Sequence, residues 1–185
     1  MDAARISSTR AALLGFVLLS GCGGRPPGPG ANPLPKPAAT AKLTDTSGKQ
    51  IGLAIFTVTD TGTTVGISIA GLAPGLHGLH IHEVGRCAPP DFASAGGHFN
   101  PTARHHGLKN PEGPHLGDLP NLLVQADGSA DTSFSLDPRL LRPGPLSLLD
   151  SAGTALVVHA DRDDQRSDPS GGSGARIACG MIAPG

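Results

Sequence analysis

Gly75-Leu76-His77-Gly78-Leu79-His80-Ile81-His82-Glu83-Val84-Gly85-Arg86-Cys87 is the stretch on which the fold turns. His80 and His82 are two positions apart. In an extended strand, residues i and i+2 face the same side. Both imidazoles can then reach one metal ion, while Leu79 and Ile81 face a core on the other side. Taken alone, the pair fits equally an ordinary strand with two polar residues on a solvated face, so the surrounding chain has to decide.

Outward from this stretch the pattern is β. Apolar residues recur at period two in 50–59 (Ile51, Leu53, Ile55) and in 63–70 (Val65, Ile67, Ile69). Further strands are expected at 41–46, 121–125, 130–136, 154–159 and 175–182, and the opening stretch supplies one more, as far as Glu83. Eight short strands separated by turns predict an all-β sandwich or barrel. Two long loops interrupt them. Residues 84–120 are rich in Gly, Pro, Asn and His; 161–174 begin charged and end rich in Gly and Ser. Loops of this length in a small domain are usually functional or disordered. No helix is expected beyond a turn near 138–141.

The composition agrees. The chain has 185 residues, 38% of them apolar, with five Phe and neither Trp nor Tyr, so its core must be built from Val, Ile and Leu. Gly (27) and Pro (18) favour turns over long helices. The net charge of −1, with no basic stripe, gives no reason to expect nucleic-acid binding.

Residues 1–21 have the form of an export signal. Arg5 and Arg10 precede an apolar run over 11–19 that is too short to span a bilayer. The run ends in Leu19-Ser20-Gly21-Cys22, which resembles a bacterial lipoprotein signal and implies lipidation of Cys22. A plain secretory signal with a chance cysteine is the alternative. Residues 22–40 then form a Pro/Gly-rich linker, and 41–185 the folded domain. The expected location is exported and membrane-anchored through the lipid, facing the periplasm or the cell exterior. With Cys22 lipidated, Cys87 and Cys179 are left as one pair in an oxidising compartment, where a disulfide persists; free thiols are the alternative. Cleavage removes Asp2, Arg5 and Arg10, and Arg25 and Lys36 lie in the linker. The folded part then carries 10 basic and 14 acidic residues, a net of −4. An anionic substrate would need a local cation there.

The eight histidines are His77, His80, His82, His98, His105, His106, His115 and His159. Asp118 follows in His115-Leu116-Gly117-Asp118. Imidazole with carboxylate suits Zn²⁺ and Cu²⁺. No methionine lies near the cluster, which argues against a copper(I) carrier or a blue-copper site. Loose metal scavenging by a His-rich loop stays open on these residues alone.

The opening stretch, Ser94-Ala95-Gly96-Gly97-His98-Phe99-Asn100-Pro101, His115-Leu116-Gly117-Asp118-Leu119-Pro120-Asn121, Leu156-Val157-Val158-His159 and Gly174-Ala175-Arg176-Ile177-Ala178-Cys179-Gly180 together resemble copper/zinc superoxide dismutases. Order and spacing match over 41–183, and Cys87, five residues after His82, resembles the bacterial exported branch. The resemblance implies an eight-stranded Greek-key β-barrel and dismutation of superoxide to dioxygen and hydrogen peroxide. It implies copper at His80, His82, His98 and His159, and zinc at His98, His106, His115 and Asp118, with His98 shared. It also implies that Asp163 links His80 to His106 (Asp164 competing for that role), that Arg176 orients superoxide, and that His77 bonds backbone near copper. His105, Glu83 and Arg86 receive no role beyond solvated or loop-bonding groups. The family includes monomers and homodimers, and both stay open here. Two other readings stay open as well: a metal-buffering or metal-delivery lipoprotein on the same fold, and a surface interaction module.

Overall fold

Alternation of buried and exposed residues builds the sheet from its first strand. The structure, a computed structural model, describes residues 36–60 and 62–185. The expected signal segment, Cys22 and most of the expected linker lie outside the described residues. The strands are β1 (Ala39–Asp45), β2 (Gln50–Thr59), β3 (Gly62–Ala70), β4 (Gly75–His77), β5 (Leu79–His82), β6 (Leu122–Val124), β7 (Ser129–Leu136), β8 (Thr154–His159) and β9 (Arg176–Pro184). Every pairing is antiparallel. Seven strands run in the order β5-β8-β9-β1-β2-β3-β7, and β4 pairs with β6 in a separate ribbon. Among the described residues the one helical element is a single 3₁₀ turn, Ala93–Ala95; residues 138–141 form the expected turn.

The expected eight strands become nine because the opening stretch breaks at Gly78. Upstream, His77 pairs with Leu122 of β6; downstream, Leu79 pairs with Val158 of β8. Gly78 donates its N–H to the Asp161 carbonyl and accepts the His159 N–H, both at 2.8 Å. A Cβ at this position would sit 2.6 Å from the Ser173 Cβ, so no larger residue fits where the chain crosses between the two sheets. Since β4 runs into β5 and β6 turns into β7, the ribbon links the two edges of the large sheet. This gives the all-β barrel architecture that the strand pattern implies.

The interior is aliphatic, as the scarcity of aromatics requires. Leu43, Phe56, Val65, Ile67, Leu79, Ile81, Leu122, Leu148, Leu156 and Val158 are buried together. Strands β5 and β8 are buried along their whole length. Leu156 and Val158 face the barrel core, while Ala155 and Val157 pack with Phe92, Ala95 and the Cys87–Cys179 disulfide. The long loops therefore cover the outer face of β5 and β8, and His80, His82 and His159 lie beneath them.

Candidate metal centre

Strand register assembles the first half of the site. His80 and His82 on β5 stand beside Val157 and Ala155 of β8, and His159 ends β8 opposite Arg176 of β9. Residues 96–118 then fold back along the free edge of β5. Phe99 donates to the Ile81 carbonyl, Ile81 to that of Gly117, and Glu83 to that of Gly97, at 2.8, 2.8 and 3.0 Å. This edge pairing places His98 across from His82 and Asp118 across from His80. A loop without regular structure of its own is thus positioned by backbone hydrogen bonds to a strand.

Two sets of donors converge. One ligand atom from each of His80, His82, His98 and His159 lies within 4.8 Å of the others, and the same holds for His80, His98, His106 and Asp118. His82 Nε2 and His159 Nε2 are 3.4 Å apart. His98 Nδ1 and His106 Nδ1 each lie 3.0 Å from Asp118 Oδ1. His115 is outside the second set by that criterion, yet its Nδ1 is 3.3 Å from the same oxygen and 3.4 Å from His98 Nδ1. His80 enters the second set because its ring stacks on His98, with centroids 3.9 Å apart.

The ring nitrogens that face away from these sets are engaged. His80 Nε2 bonds Asp163 Oδ2 (2.8 Å), His82 Nδ1 bonds the Gly96 carbonyl (2.9 Å), His159 Nδ1 the Gly174 carbonyl (3.1 Å), and His106 Nε2 bonds Asp163 Oδ1 (3.1 Å). In contrast, His80 Nδ1 and His98 Nε2 are buried with no hydrogen-bond partner. Buried polar atoms are normally satisfied. Orphaned imidazole nitrogens inside a nest of histidines fit a cation that accepts their lone pairs.

Electrostatics favours the same use. Burial pushes the pKa of His80 down to about 4 and that of His159 to about 3, and it lowers His82 further still. Near neutral pH these three rings are neutral, the form that binds metal. Burial also acts to raise Asp118 and Asp163, but hydrogen bonds from His106 and His98 to the first, and from His106 and His80 to the second, hold both well below the usual carboxylate range. His106 is the exception among the rings. Burial alone would lower it, yet it lies between Asp118 and Asp163 and is raised to about 9. Without metal, His106 is a cation holding two carboxylates.

Asp163 is wholly buried, whereas Asp164 is exposed and accepts the N–H groups of Arg166 and Ser167 in a turn. Two neighbours of Asp163 received no role from the sequence, although Asn121 closes the motif that begins at His115. Asn121 holds its backbone with both amide atoms, at 2.8 and 2.9 Å. Gln165 donates to both oxygens of its carboxylate. Their contacts to Asp163 are tertiary, and for Gln165 nothing in the local sequence announces them. His77 is buried and bonds the His159 and Ala73 carbonyls, both at 2.8 Å. His105 is exposed and pairs with Asp168 and Glu112. Glu83 bonds the Gly97 N–H.

Arg176 is fixed by two carbonyls, Nη1 to Phe92 and Nη2 to Gly96, each at 2.7 Å. The Gly96 oxygen also takes the His82 N–H, so guanidinium and histidine share one anchor. The disulfide joins Cys87, before this loop, to Cys179 on β9. A cleft of about 210 Å³ is lined by His82, His98, His159 and Arg176, together with Pro169 and Ser170. The exposed side of the histidine set therefore opens beside a fixed cation, in room for a small anion.

Comparison with known proteins agrees. Residues 50–182 match the copper/zinc superoxide dismutase family model. The chain is 46% identical over 147 residues to the protein named superoxide dismutase [Cu-Zn] 2 of Aquifex aeolicus, covering 78% of this chain and 85% of that one. It is 41% identical over 175 residues to the superoxide dismutase-like protein YojM of Bacillus subtilis, covering 89% of each. Among solved structures, a double mutant of a SOD-like protein from Bacillus subtilis superposes with a TM-score of 0.74 at 46% identity, over 77% of this chain and 95% of that one. The Cu/Zn superoxide dismutase from Brucella abortus gives 0.64 at 33% identity, over 78% and 99%. With the match spanning both loops and all the strands that carry the histidines, this chain belongs to the copper/zinc superoxide dismutase family.

Proposed function

We propose that the protein dismutates superoxide to dioxygen and hydrogen peroxide, with copper held by His80, His82, His98 and His159 and zinc by His98, His106, His115 and Asp118. The observation that carries this reading is His98. Its Nδ1 faces Asp118 and His115, while its Nε2 is buried and unpartnered like His80 Nδ1. One ring thus faces two donor sets. When bound, copper supplies one-electron redox chemistry, and zinc supplies a fixed charge that orders the loop.

The chain's own residues do the rest. Arg176 holds a positive charge at the cleft, where it attracts and orients the superoxide anion. The carbonyls of Phe92 and Gly96 keep that guanidinium from swinging away. Carbonyl and carboxylate acceptors behind His80, His82, His159 and His106 set the tautomers, so each lone pair faces the metal position. Two superoxides and two protons give one dioxygen and one hydrogen peroxide. The cleft of about 210 Å³ has room for so small an anion.

Metal analysis and a superoxide-consumption assay on the full chain test the proposal. One copper, one zinc and fast consumption are expected. His159→Ala should abolish consumption and leave zinc bound. Survival of activity in that variant would refute the copper assignment, and full metal loading without activity would put the metal-buffering reading in its place. We propose further that the protein is exported and held at a membrane by lipid on Cys22. The apolar run ending at that cysteine supports this, and so does the disulfide, which suits an oxidising compartment. Cys22→Ala should move the protein from the membrane fraction to the soluble one.

A further inference from the structure

Gln165 is 5% exposed in a loop that otherwise lies largely at the surface, and it sits at φ 64°, a left-handed conformation unfavourable for a residue with a side chain. Its amide nitrogen donates to Asp163 Oδ2 at 2.7 Å and to the Leu119 carbonyl at 3.2 Å, and its backbone N–H donates to Asp163 Oδ1 at 2.6 Å. Both side-chain partners are acceptors, so the amide orientation is fixed. Its Oε1 is buried without a partner. An orphaned buried acceptor and a left-handed backbone are both costs, and an apolar side chain would avoid the first. The amide's favourable contribution here is therefore what its N–H groups do.

What they do is complete a symmetrical set. Each oxygen of Asp163 takes one histidine N–H and one Gln165 N–H: His80 Nε2 with the Gln165 amide on Oδ2, and His106 Nε2 with the Gln165 backbone on Oδ1. The carboxylate's charge is divided among four donors. Rotation of Asp163 toward one ring would break a Gln165 bond as well as the bond to the other ring. The amide also ties this loop to the Leu119 carbonyl, one residue after Asp118. We infer that Gln165 is a positioning residue that fixes Asp163 and, through it, the rings of His80 and His106. The inference rests on the dismutase reading for its consequence in catalysis, but not for its geometry.

The test compares Gln165→Met, which keeps length, volume and the backbone N–H but loses the side-chain donor, with Thr154→Val, which deletes a buried hydrogen bond to the Leu148 carbonyl that involves no bond to Asp163. The first readout uses the metal-free full chain: nitrogen-15 NMR of the imidazole N–H groups. The His80 and His106 resonances should shift in Gln165→Met and stay in place in Thr154→Val. The second is the zinc dissociation constant against a chromophoric chelator, expected to rise about 10-fold in Gln165→Met and to be unchanged in Thr154→Val. Gln165→Gly, which relieves the backbone and keeps the N–H, should weaken zinc similarly without loss of folding. Unmoved resonances overturn the inference whatever zinc does. If the wild-type chain binds no zinc, the dismutase reading falls, and the resonances still decide the role of Gln165.

Discussion

Gly78→Ala adds one methyl group where β4 hands the chain to β5. The backbone tolerates alanine there, because Gly78 does not have the left-handed φ found at Gly75. Space is the obstacle. The new Cβ would lie 2.6 Å from the Ser173 Cβ, 3.3 Å from His80 Cε1 and 3.4 Å from the His159 Cβ. The first distance is about 1 Å inside ordinary carbon–carbon contact. Neither neighbour can retreat easily. Ser173 is buried and sits in the loop whose backbone bonds Asp161, while Gly78 is tied to Asp161 and His159 on both sides. Overpacking of this kind costs about 1–3 kcal/mol. For a chain of this size that corresponds to a melting temperature lower by about 2–12 °C. Ser173→Gly should restore most of the loss when combined with Gly78→Ala, since it removes the colliding carbon. Its hydroxyl has no hydrogen-bond partner to forfeit. Alone, Ser173→Gly should cost about 0.5–1 kcal/mol through chain entropy. Denaturant unfolding of the four metal-free proteins gives the cycle, with a coupling of at least about 1 kcal/mol expected in the direction of rescue. Additive losses, or an alanine variant as stable as wild type, would refute the claim that this crossing is set by contact with Ser173.

Three further outcomes follow from the site. His106 is raised to about 9 by its two carboxylates in the metal-free protein, so it is protonated at pH 7. Zinc must displace that proton, and uptake should release about one proton per zinc at pH 7, falling toward none as pH rises through 9; calorimetry in buffers of different ionisation heat reads this, and pH-independent uptake would contradict it. Arg176→Ala should slow superoxide consumption by about 10–100-fold and flatten its dependence on ionic strength, as stopped-flow assays at graded salt can show. Loss of the Cys87–Cys179 bond, which spans 92 positions, should lower stability by about 4–5 kcal/mol on the chain-entropy estimate, measured by denaturant unfolding of Cys87→Ser/Cys179→Ser.

The histidines stood out in the sequence by kind and clustering, two on one strand face, one ending an apolar run and four on a loop too polar to be core, whereas their sorting into two ligand sets, with His105 left out, came from the family resemblance. Period-two runs at 50–59 and 63–70 located β2 and β3 to within a residue, and β8 was located fully. The break at Gly78 was hidden. A glycine between Leu-His and Leu-His-Ile-His preserves alternation, and the change of partner from β6 to β8 is a property of two distant strands. Gln165 was hidden for a stronger reason. In Asp163-Asp164-Gln165-Arg166 it stands in a charged run, where the expected fate of a glutamine is solvent. What buries it lies elsewhere: the Leu119 carbonyl comes from the other long loop, and Lys109 donates its N–H to the Gln165 carbonyl. Gly171 must also lack a side chain, since a Cβ there would collide with Asp163 Oδ1. Local chemistry therefore nominates the groups that can touch a metal, whereas the groups that aim them are chosen by the meeting of two loops, each irregular when taken alone. A variant series confined to the histidines and Asp118 would test the first kind of residue and miss the second, whose signature is altered hydrogen bonding in the metal-free protein before any change in metal content.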